Sequence, residues 1–378
     1  MFPNLSNFII RHREPLLILG ILIVCLVSLY LHPFWLTGDT PTYIKSVEFL
    51  KGGLADKDFL PFRIISTYLA LNLLILGEKL FGNIFWAWTI MNSVFYIIAG
   101  YYTYKIILEL YGSERAALLG MFLIIGNYAV VIHGLAFALD MGGWALYLAS
   151  AYLSLKYLKT KEEKFVLLSG VVIGIGSLLK EYALGGFPIL LGSVILSNYG
   201  DWKKMVKLSS IVATLSFLPA LILHFFVYLK FDYTYLDWYR EQRFQYGGIY
   251  YNNRIVEYIK SFGAVYGVGW FFFLNSLYLL IKTKFLLIGK RELSFLLLLF
   301  LSASPLWFWP GIVPRTVFIM IPFAVALSAL TIKYYENRWY LFVFPVAIYI
   351  AWSYLLDGYI FNLMNIDVVL GYLLFWAY

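Results

Sequence analysis

The chain has 378 residues, of which 62% are hydrophobic and 13% are charged. A soluble domain carries about 25% charged residues, so this composition excludes an ordinary soluble domain and favours helices surrounded by lipid. The formal net charge is +8, but no run of Lys and Arg resembles a nucleic-acid-binding arm, so nucleic acid is not an expected partner. Cys25 is the only cysteine, which excludes an intrachain disulfide and a cysteine-based metal site.

The first apolar segment, at 15–34, follows a basic N-terminal stretch and is longer than the core of a signal peptide. We therefore predict an uncleaved transmembrane helix there. Crossing a bilayer takes about 20 residues. Further apolar segments of suitable length lie at 85–108, 116–133, 141–158, 165–180, 184–199, 206–229, 263–281, 292–309, 316–332 and 339–356. A short apolar tail, 366–378, forms either a twelfth span or a surface helix.

The stretch 61–82 decides the topology. It begins with Pro61 and Arg63 and carries Glu78 and Lys79, so we predict one or two interfacial helices rather than a full span. With the N-terminus in the cytosol, the basic loops then all face the cytosol, as the positive-inside rule requires. These loops are 112–115, 156–164, 201–207, 282–292 and 333–338. A span at 61–82 would invert every later loop.

The predicted architecture is an all-α polytopic membrane protein with about 11 transmembrane helices, within a range of about 10 to 13. Residues 1–378 form a single transmembrane domain, and no soluble domain is predicted. The two large external loops are 35–84 and 230–262. The predicted location is the cell membrane, crossed several times and with membrane lipids around the helices.

The segment LTGDTPTYIKSVEFLKGG, residues 36–53, carries the first candidate site residue. Asp39 precedes a stretch with apolar and aromatic residues at helical spacing, including Tyr43, which predicts an amphipathic helix on the membrane surface. A carboxylate at the start of such a helix is favoured by the helix dipole. Asp39 is therefore either a helix cap or a catalytic acid on the external surface.

A second acid lies in the next predicted external loop. Asp140 comes just before the apolar segment 141–158, and Gly142 and Gly143 allow another group to approach the first turn closely. A helix cap is again the alternative. His133, in the same loop, is either a hydrogen-bonded interface residue or a ligand. Two acids at one membrane surface indicate a reaction site.

The segment GIGSLLKEYALGGFP, residues 174–188, places Lys180 and Glu181 where an apolar run emerges on the acidic side. Lysine binds phosphate as a point charge. The alternatives are an internal Lys–Glu pair and a lysine whose amine reaches the membrane surface along an apolar stem.

Several arginines also map to the external side, against the usual bias. Arginine suits phosphate, and the loop 236–254 mixes it with tyrosines and amides that suit sugar hydroxyls. A purely structural role is the alternative for each. These arginines are Arg63, Arg240, Arg243, Arg254 and Arg315.

Taken in chain order, five motifs resemble the GT-C superfamily of membrane glycosyltransferases, nearest to its protein O-mannosyltransferase and aminoarabinose-transferase branch. The motifs are GDTPTYI, PFRIISTYLALNLLILGEKLFG, ALDMGGWALYLASAYLSLKYL, GSLLKEYAL and PGIVPRTVFIMIPFAVAL. The resemblance covers roughly residues 1–190 and, more loosely, the region near Arg315. The chain departs from many relatives in having Asp-Thr rather than Asp-Glu in the first motif, and it is shorter than most.

The resemblance implies a GT-C-like helix bundle with surface helices in the first external loop. It also implies inverting transfer of a sugar from a polyprenyl-phosphate donor to a hydroxyl of a glycan, lipid or protein acceptor, on the extracellular or periplasmic face. Such a reaction needs a general base, for which Asp39 is our candidate. Asp140 would orient the acceptor, tune Asp39, or share a divalent cation such as Mg or Mn with it.

The departing phosphate needs fixed cations. The candidates are Lys180 and Arg315, then Arg63, Arg240 and Arg243. Further substrate contacts are expected from Tyr43, Glu181 and His133. The main alternative function is a lipid-linked sugar flippase or transporter, which would place polar residues near the middle of several spans. Here the charges cluster at one membrane face.

Overall fold

The computed structural model describes residues 13–31, 36–53, 60–251, 254–309 and 311–363. The regular elements within these ranges are all helices, which confirms the predicted all-α class. The predicted tail segment 366–378 lies outside the described residues.

The first part of the fold carries the two acidic motifs and the lysine motif. Short turns at Val130–Gly134 and Glu181–Gly185 interrupt its regular helices. These helices are α1 (Arg13–Leu31), α2 (Thr40–Leu50), α3 (Pro61–Phe81), α4 (Ile84–Tyr111), α5 (Glu114–Ile125), α6 (Asp140–Thr160), α7 (Glu163–Leu179), α8 (Gly186–Ser197) and α9 (Trp202–Phe231).

The second part of the fold carries the late arginine motif. Its helices are α10 (Tyr235–Tyr251), α11 (Arg254–Tyr266), α12 (Gly269–Lys282), α13 (Lys290–Ser302), α14 (Pro314–Val317), α15 (Ile321–Tyr334) and α16 (Tyr340–Leu363).

Local sequence sets the reversals between α3, α4 and α5. Gly82 and Gly112 end α3 and α4 in the left-handed region, with φ of 72° and 63°, which glycine adopts without a Cβ penalty. The Asn83 side chain accepts hydrogen bonds from the first amides of α4, and the Ser113 hydroxyl accepts one from the amide of Ala116 in α5. A glycine stop followed by a polar cap therefore defines each turn.

The predicted span 116–133 is interrupted. Helix α5 ends at Ile125, and the chain continues through Asn127 into the π-helical turn Val130–Gly134. The Asn127 amide donates to the carbonyl of Val265 at 2.8 Å and to the hydroxyl of Tyr349 at 2.7 Å, while its oxygen accepts from the Ala129 amide. These buried bonds replace the helical hydrogen-bond pattern at this point.

The predicted loop 230–262 contains α10 and most of α11. The following predicted span, 263–281, is not a single straight helix, because α11 and α12 meet at 99°. Gly267 lies at the bend with φ +40°, a conformation that other residues rarely adopt.

Five helices among the described residues are long and apolar enough to cross a membrane, and the bent pair α11–α12 raises the number to six. Helix α3 is one of the five, although we predicted interfacial helices there; it is one helix with a kink at Thr67. The predicted count of about 11 spans and the orientation of the N-terminus remain predictions.

The basic loops gather at one end of the fold and the acidic motifs at the other. Helix α6 starts at Asp140 and has 21 residues, so it runs about 30 Å to its basic end. There the predicted cytosolic loops contact one another through the pairs Ser113–Glu336, Lys159–Glu292 and Glu163–Lys204. Helices α14 and α15 and the short turn Phe318–Met320 between them are mostly buried inside the bundle, and Arg315 lies at their acidic end.

Candidate functional site

Asp39 directs its carboxylate towards arginines and does not cap α2. It occupies the position before Thr40, but its side chain makes no capping hydrogen bond. One carboxylate oxygen accepts from Nη2 of Arg63, and the other accepts from Nη1 of Arg315 at 2.5 Å. The cap interpretation of Asp39 is therefore not what the structure shows.

Arg63, near the start of α3, is held by two residues of α2 and by Asp39, which precedes that helix. Its Nε donates to the hydroxyl of Thr42 and its Nη1 to that of Tyr43, both at 3.0 Å, while Nη2 donates to Asp39. The guanidinium also lies over the Tyr43 ring, 4.4 Å from its centre. Arg63 is 6% exposed, so this cation is fixed in place.

Asp140 is the first residue of α6 and is 1% exposed. Neither of its carboxylate oxygens has a hydrogen-bond partner among the described residues, although Nη1 of Arg315 lies 3.9 Å from Oδ2. Buried polar groups are normally paired, so these oxygens are available to a ligand. Asp140 and Asp39 thus lie on the same side of the fold, with Arg315 in contact with both.

Two polar residues of α4 hold the turn that precedes Asp140. The indole of Trp88 donates to the carbonyl of Ala138 at 2.9 Å. The Asn92 amide donates to the carbonyls of Ala136 and Ala138 at 2.7 and 3.1 Å. All of these groups are buried, so they fix the start of α6.

Lys180 follows α7 and is 5% exposed. Its Nζ lies 3.4 Å from Oε1 of Glu181 and 3.4 Å from the Tyr43 hydroxyl. The internal Lys–Glu pair that we considered as an alternative is therefore present, and it lies within the site. A Cβ added to Gly143 would lie 2.7 Å from Cβ of Lys180, so the glycine permits the close approach of the lysine to α6.

These groups surround one cavity of about 340 Å³. It brings together six of the predicted charged residues: Asp39, Arg63, Asp140, Lys180, Glu181 and Arg315. The other lining residues are Thr42, Leu60, Phe62, Tyr182, Tyr235, Trp238, Gln242, Trp309, Gly311, Val313 and Thr316.

The remaining predicted site residues lie elsewhere. Tyr43 is fully buried behind the cavity and binds Arg63 and Lys180. His133 lies in the Val130–Gly134 turn, where its ring packs edge-to-face on Tyr128, and it does not line the cavity. Arg240 and Arg243 are on the exposed face of α10, with Arg240 paired to Asp237.

Our sequence interpretation missed the aromatic wall of the cavity, which is formed by Phe62, Tyr235, Trp238 and Trp309. A signal was available on α10. Tyr235, Trp238 and Gln242 recur at spacings of three and four residues, which place them on one helix face. The arginines that we selected from the same segment fall on another face.

The charge pattern strongly favours the ionised form of Asp39. Burial by itself would raise the pKa of this carboxyl, but the guanidiniums of Arg63 and Arg315, with help from Lys180, outweigh burial and hold the pKa well below its usual range. With both oxygens occupied by arginine, Asp39 has little affinity for a proton in this state.

A divalent cation shared by Asp39 and Asp140 does not fit this arrangement well. Arg315 contacts both carboxylates and already supplies a positive charge between them. Among the described residues, no group of three or more His, Cys, Asp and Glu side chains could hold a metal ion. A metal would have to displace Arg315, so we derive no step through one.

Three comparisons with known proteins bear on the chain. Residues 67–224 match the family model described as dolichyl-phosphate-mannose-protein mannosyltransferase. This segment contains Asp140 and Lys180, whereas Asp39, Arg63 and Arg315 lie outside it. No curated protein matches the chain.

The fold is similar to the crystal structure of ArnT from Cupriavidus metallidurans bound to undecaprenyl phosphate. The TM-score is 0.58 at 13% sequence identity, over 86% of this chain and 60% of the ArnT chain. The chain thus shares its fold with ArnT and spans about 60% of the length of that protein. The matched segment and the shared fold together confirm the predicted resemblance to GT-C membrane glycosyltransferases of the protein O-mannosyltransferase and aminoarabinose-transferase branch.

Proposed function

We propose that this protein is a membrane glycosyltransferase that moves a sugar from a polyprenyl-phosphate donor to a hydroxyl of an acceptor. One observation carries the proposal: three cations, Arg63, Lys180 and Arg315, line the same cavity as the carboxylates Asp39 and Asp140. The matched family description and the undecaprenyl phosphate in the ArnT crystal name the same substrate class and support the proposal.

The cations are suited to the leaving group. Breaking the bond between the sugar and the phosphate leaves additional negative charge on the phosphate, which positioned cations stabilise best in a site that excludes water. Arg63 and Lys180 are almost fully buried and fixed by Tyr43. Arg315 is more accessible, with 30% of its side chain exposed, so it is the cation that an incoming phosphate reaches most readily.

Asp39 is our proposed general base, and donor binding prepares it for that role. The phosphate of the donor competes with Asp39 for the guanidinium of Arg315, because both are anions that accept from Nη1. Once Arg315 turns to the phosphate, the proton affinity of Asp39 rises. Asp39 then accepts the proton of the acceptor hydroxyl as the oxygen attacks the anomeric carbon, and direct displacement inverts the configuration.

Asp140 is our proposed residue for orienting the acceptor. Both of its oxygens lack a hydrogen-bond partner among the described residues, so they can accept bonds from substrate hydroxyls. Its negative charge also raises the proton affinity of Asp39 once the arginine has left. The extracellular or periplasmic face is the proposed location, since the basic loops gather at the opposite end of α6.

The test uses the full chain, purified and reconstituted in proteoliposomes with undecaprenyl-phosphate-linked mannose, glucose or aminoarabinose. The acceptor for this assay is identified first, by mass spectrometry of lipid-linked glycans from cells with and without the gene. The proposal expects undecaprenyl phosphate and a glycosylated acceptor as products. Movement of an intact donor across the bilayer without either product would instead support the flippase alternative.

A further inference from the structure

Helix α10 presents a continuous face to the cavity. Tyr235, Trp238 and Gln242 line it, at the three- and four-residue spacing of one helix face. Trp238 is 8% exposed, whereas Phe244 on the same helix is 94% exposed. The helix thus contributes one aromatic and amide surface to the site, although the family match ends before it at residue 224.

The aromatic surface is continuous with the cations. The Trp238 ring stacks on Phe62 with 5.3 Å between centres and also packs against Tyr235 at 4.8 Å and Trp309 at 5.5 Å. The guanidinium of Arg63 lies over the other member of this stack, 4.5 Å from the centre of the Phe62 ring. Because Arg63, Lys180 and Arg315 line the same cavity as these rings, a group joined directly to a phosphate bound by the cations would lie beside the aromatic wall.

Two polar atoms at this wall lack partners. Tyr235 and Glu181 both line the cavity. The Tyr235 hydroxyl and Oε2 of Glu181 are buried and have no hydrogen-bond partner among the described residues. Leaving buried polar groups unpaired costs free energy. A ligand that forms hydrogen bonds to them removes this cost, which favours its binding. The carboxylate can only accept, while the tyrosine hydroxyl can donate or accept.

This combination distinguishes between the two parts of a lipid-linked donor. An isoprenoid chain is apolar and would leave the Tyr235 hydroxyl and Glu181 unsatisfied. A sugar ring has a face of C–H groups that packs on aromatic rings, and its rim of hydroxyls both donates and accepts. The surface therefore suits the sugar better than the lipid.

We propose that Tyr235, Trp238 and Gln242 of α10, with Glu181, form the subsite for the sugar ring of the donor and determine which sugar is accepted. This inference rests on the proposed function and extends it to residues outside the matched family segment. Trp238 packs on the ring, and Tyr235, Gln242 and Glu181 bond to its hydroxyls.

The experiment compares binding of undecaprenyl phosphate with binding of its mannose-, glucose- and aminoarabinose-linked forms to the full chain in nanodiscs. The wild type should bind at least one sugar-linked form more tightly than undecaprenyl phosphate. Tyr235→Phe should weaken that form by about tenfold, the value of one hydrogen bond, and leave undecaprenyl phosphate binding unchanged. Trp238→Ala should weaken binding of the sugar-linked form more than Tyr235→Phe does, and should also leave undecaprenyl phosphate binding unchanged.

The variants are chosen so that a folding defect cannot imitate the result. The Tyr235 hydroxyl has no protein partner among the described residues, so its removal breaks no described hydrogen bond. Phe244→Ala, an exposed aromatic on the same helix, is the matched control and should change neither affinity. Thermal unfolding of each variant provides a second check.

Three outcomes would overturn the inference. The first is equal weakening of both ligands by Tyr235→Phe and Trp238→Ala, which would make the wall structural. The second is a wild type that binds no sugar-linked form more tightly than undecaprenyl phosphate. A wild type that fails to bind undecaprenyl phosphate at all would overturn the proposed function itself, and this inference with it.

Discussion

Arg315 donates a hydrogen bond from Nη1 to Oδ2 of Asp39 at 2.5 Å, although 276 positions separate the two residues in the chain. The same nitrogen lies 3.9 Å from Oδ2 of Asp140. One arginine from the late motif therefore joins the two acidic motifs. With Arg63, it also holds the pKa of Asp39 well below its usual range, and in our proposal donor binding relieves this effect.

Replacing Asp39 with Asn should reduce transfer by about 100-fold or more, the usual contribution of a general base. Binding of undecaprenyl phosphate should be retained or tighter, because Arg63 and Arg315 lose a competing anion. Turnover and binding are measured in parallel. Asp237→Asn, at an acid paired with Arg240 outside the cavity, is the control. A wild-type turnover rate in Asp39→Asn would refute the assignment of the base.

Replacing Arg315 with Met should lower kcat by about 100- to 1000-fold, because it removes the cation that we propose stabilises the leaving phosphate. Affinity for undecaprenyl phosphate should also fall. Arg240→Met is the matched control, since the Arg240 side chain is 77% exposed and outside the cavity. Similar losses in both variants would point to a general effect of surface charge, contrary to our proposal.

The acid side of the pH profile should differ between kcat/KM and kcat. In the free protein the pKa of Asp39 is held well below its usual range, so kcat/KM should show no loss from this group above about pH 4. With donor bound, Arg315 contacts the phosphate, and Asp39 should become protonated at a higher pH. The acid limb of kcat should therefore lie above that of kcat/KM.

The same depressed pKa affects stability. The ion pairs of Asp39 stabilise the folded protein at pH values above the unfolded pKa of about 3.9, and this contribution is lost as pH falls through the folded pKa.

For the kinetic prediction, profiles of kcat and kcat/KM that coincide on the acid side would contradict the exchange of partners by Arg315.

Replacing Gly143 with Ala should displace Lys180, because the added Cβ would lie 2.7 Å from Cβ of the lysine. We expect a destabilisation of about 1–3 kcal/mol, typical of overpacking, together with weaker binding of undecaprenyl phosphate. Gly263→Ala on α11 is the control, since its Cβ would meet no atom within 4 Å. Unchanged stability and binding in Gly143→Ala would show that Lys180 is not positioned in this way.

Much of the fold could be predicted because its signals are local. Long apolar runs require helices in lipid, and the glycine stops and polar caps near Gly82 and Gly112 mark where helices end. The interruption at Asn127 could not be predicted, because its amide bonds to Val265 and Tyr349. These partners lie 138 and 222 positions further along the chain. An isolated asparagine in an apolar run does not reveal such partners.

The candidate site likewise has features that the sequence reveals and features that only the tertiary structure reveals. The sequence by itself determined that Asp39, Asp140, Lys180 and Arg315 are charges at the ends of apolar segments, because each charge stands out against its neighbours. Only the tertiary structure decided that Arg63 and Arg315 share Asp39, that Arg240 and Arg243 lie outside the cavity, and that Trp238 lines it. The physical reason is that helix phase and packing between distant segments fix these contacts, while composition records only which groups are available.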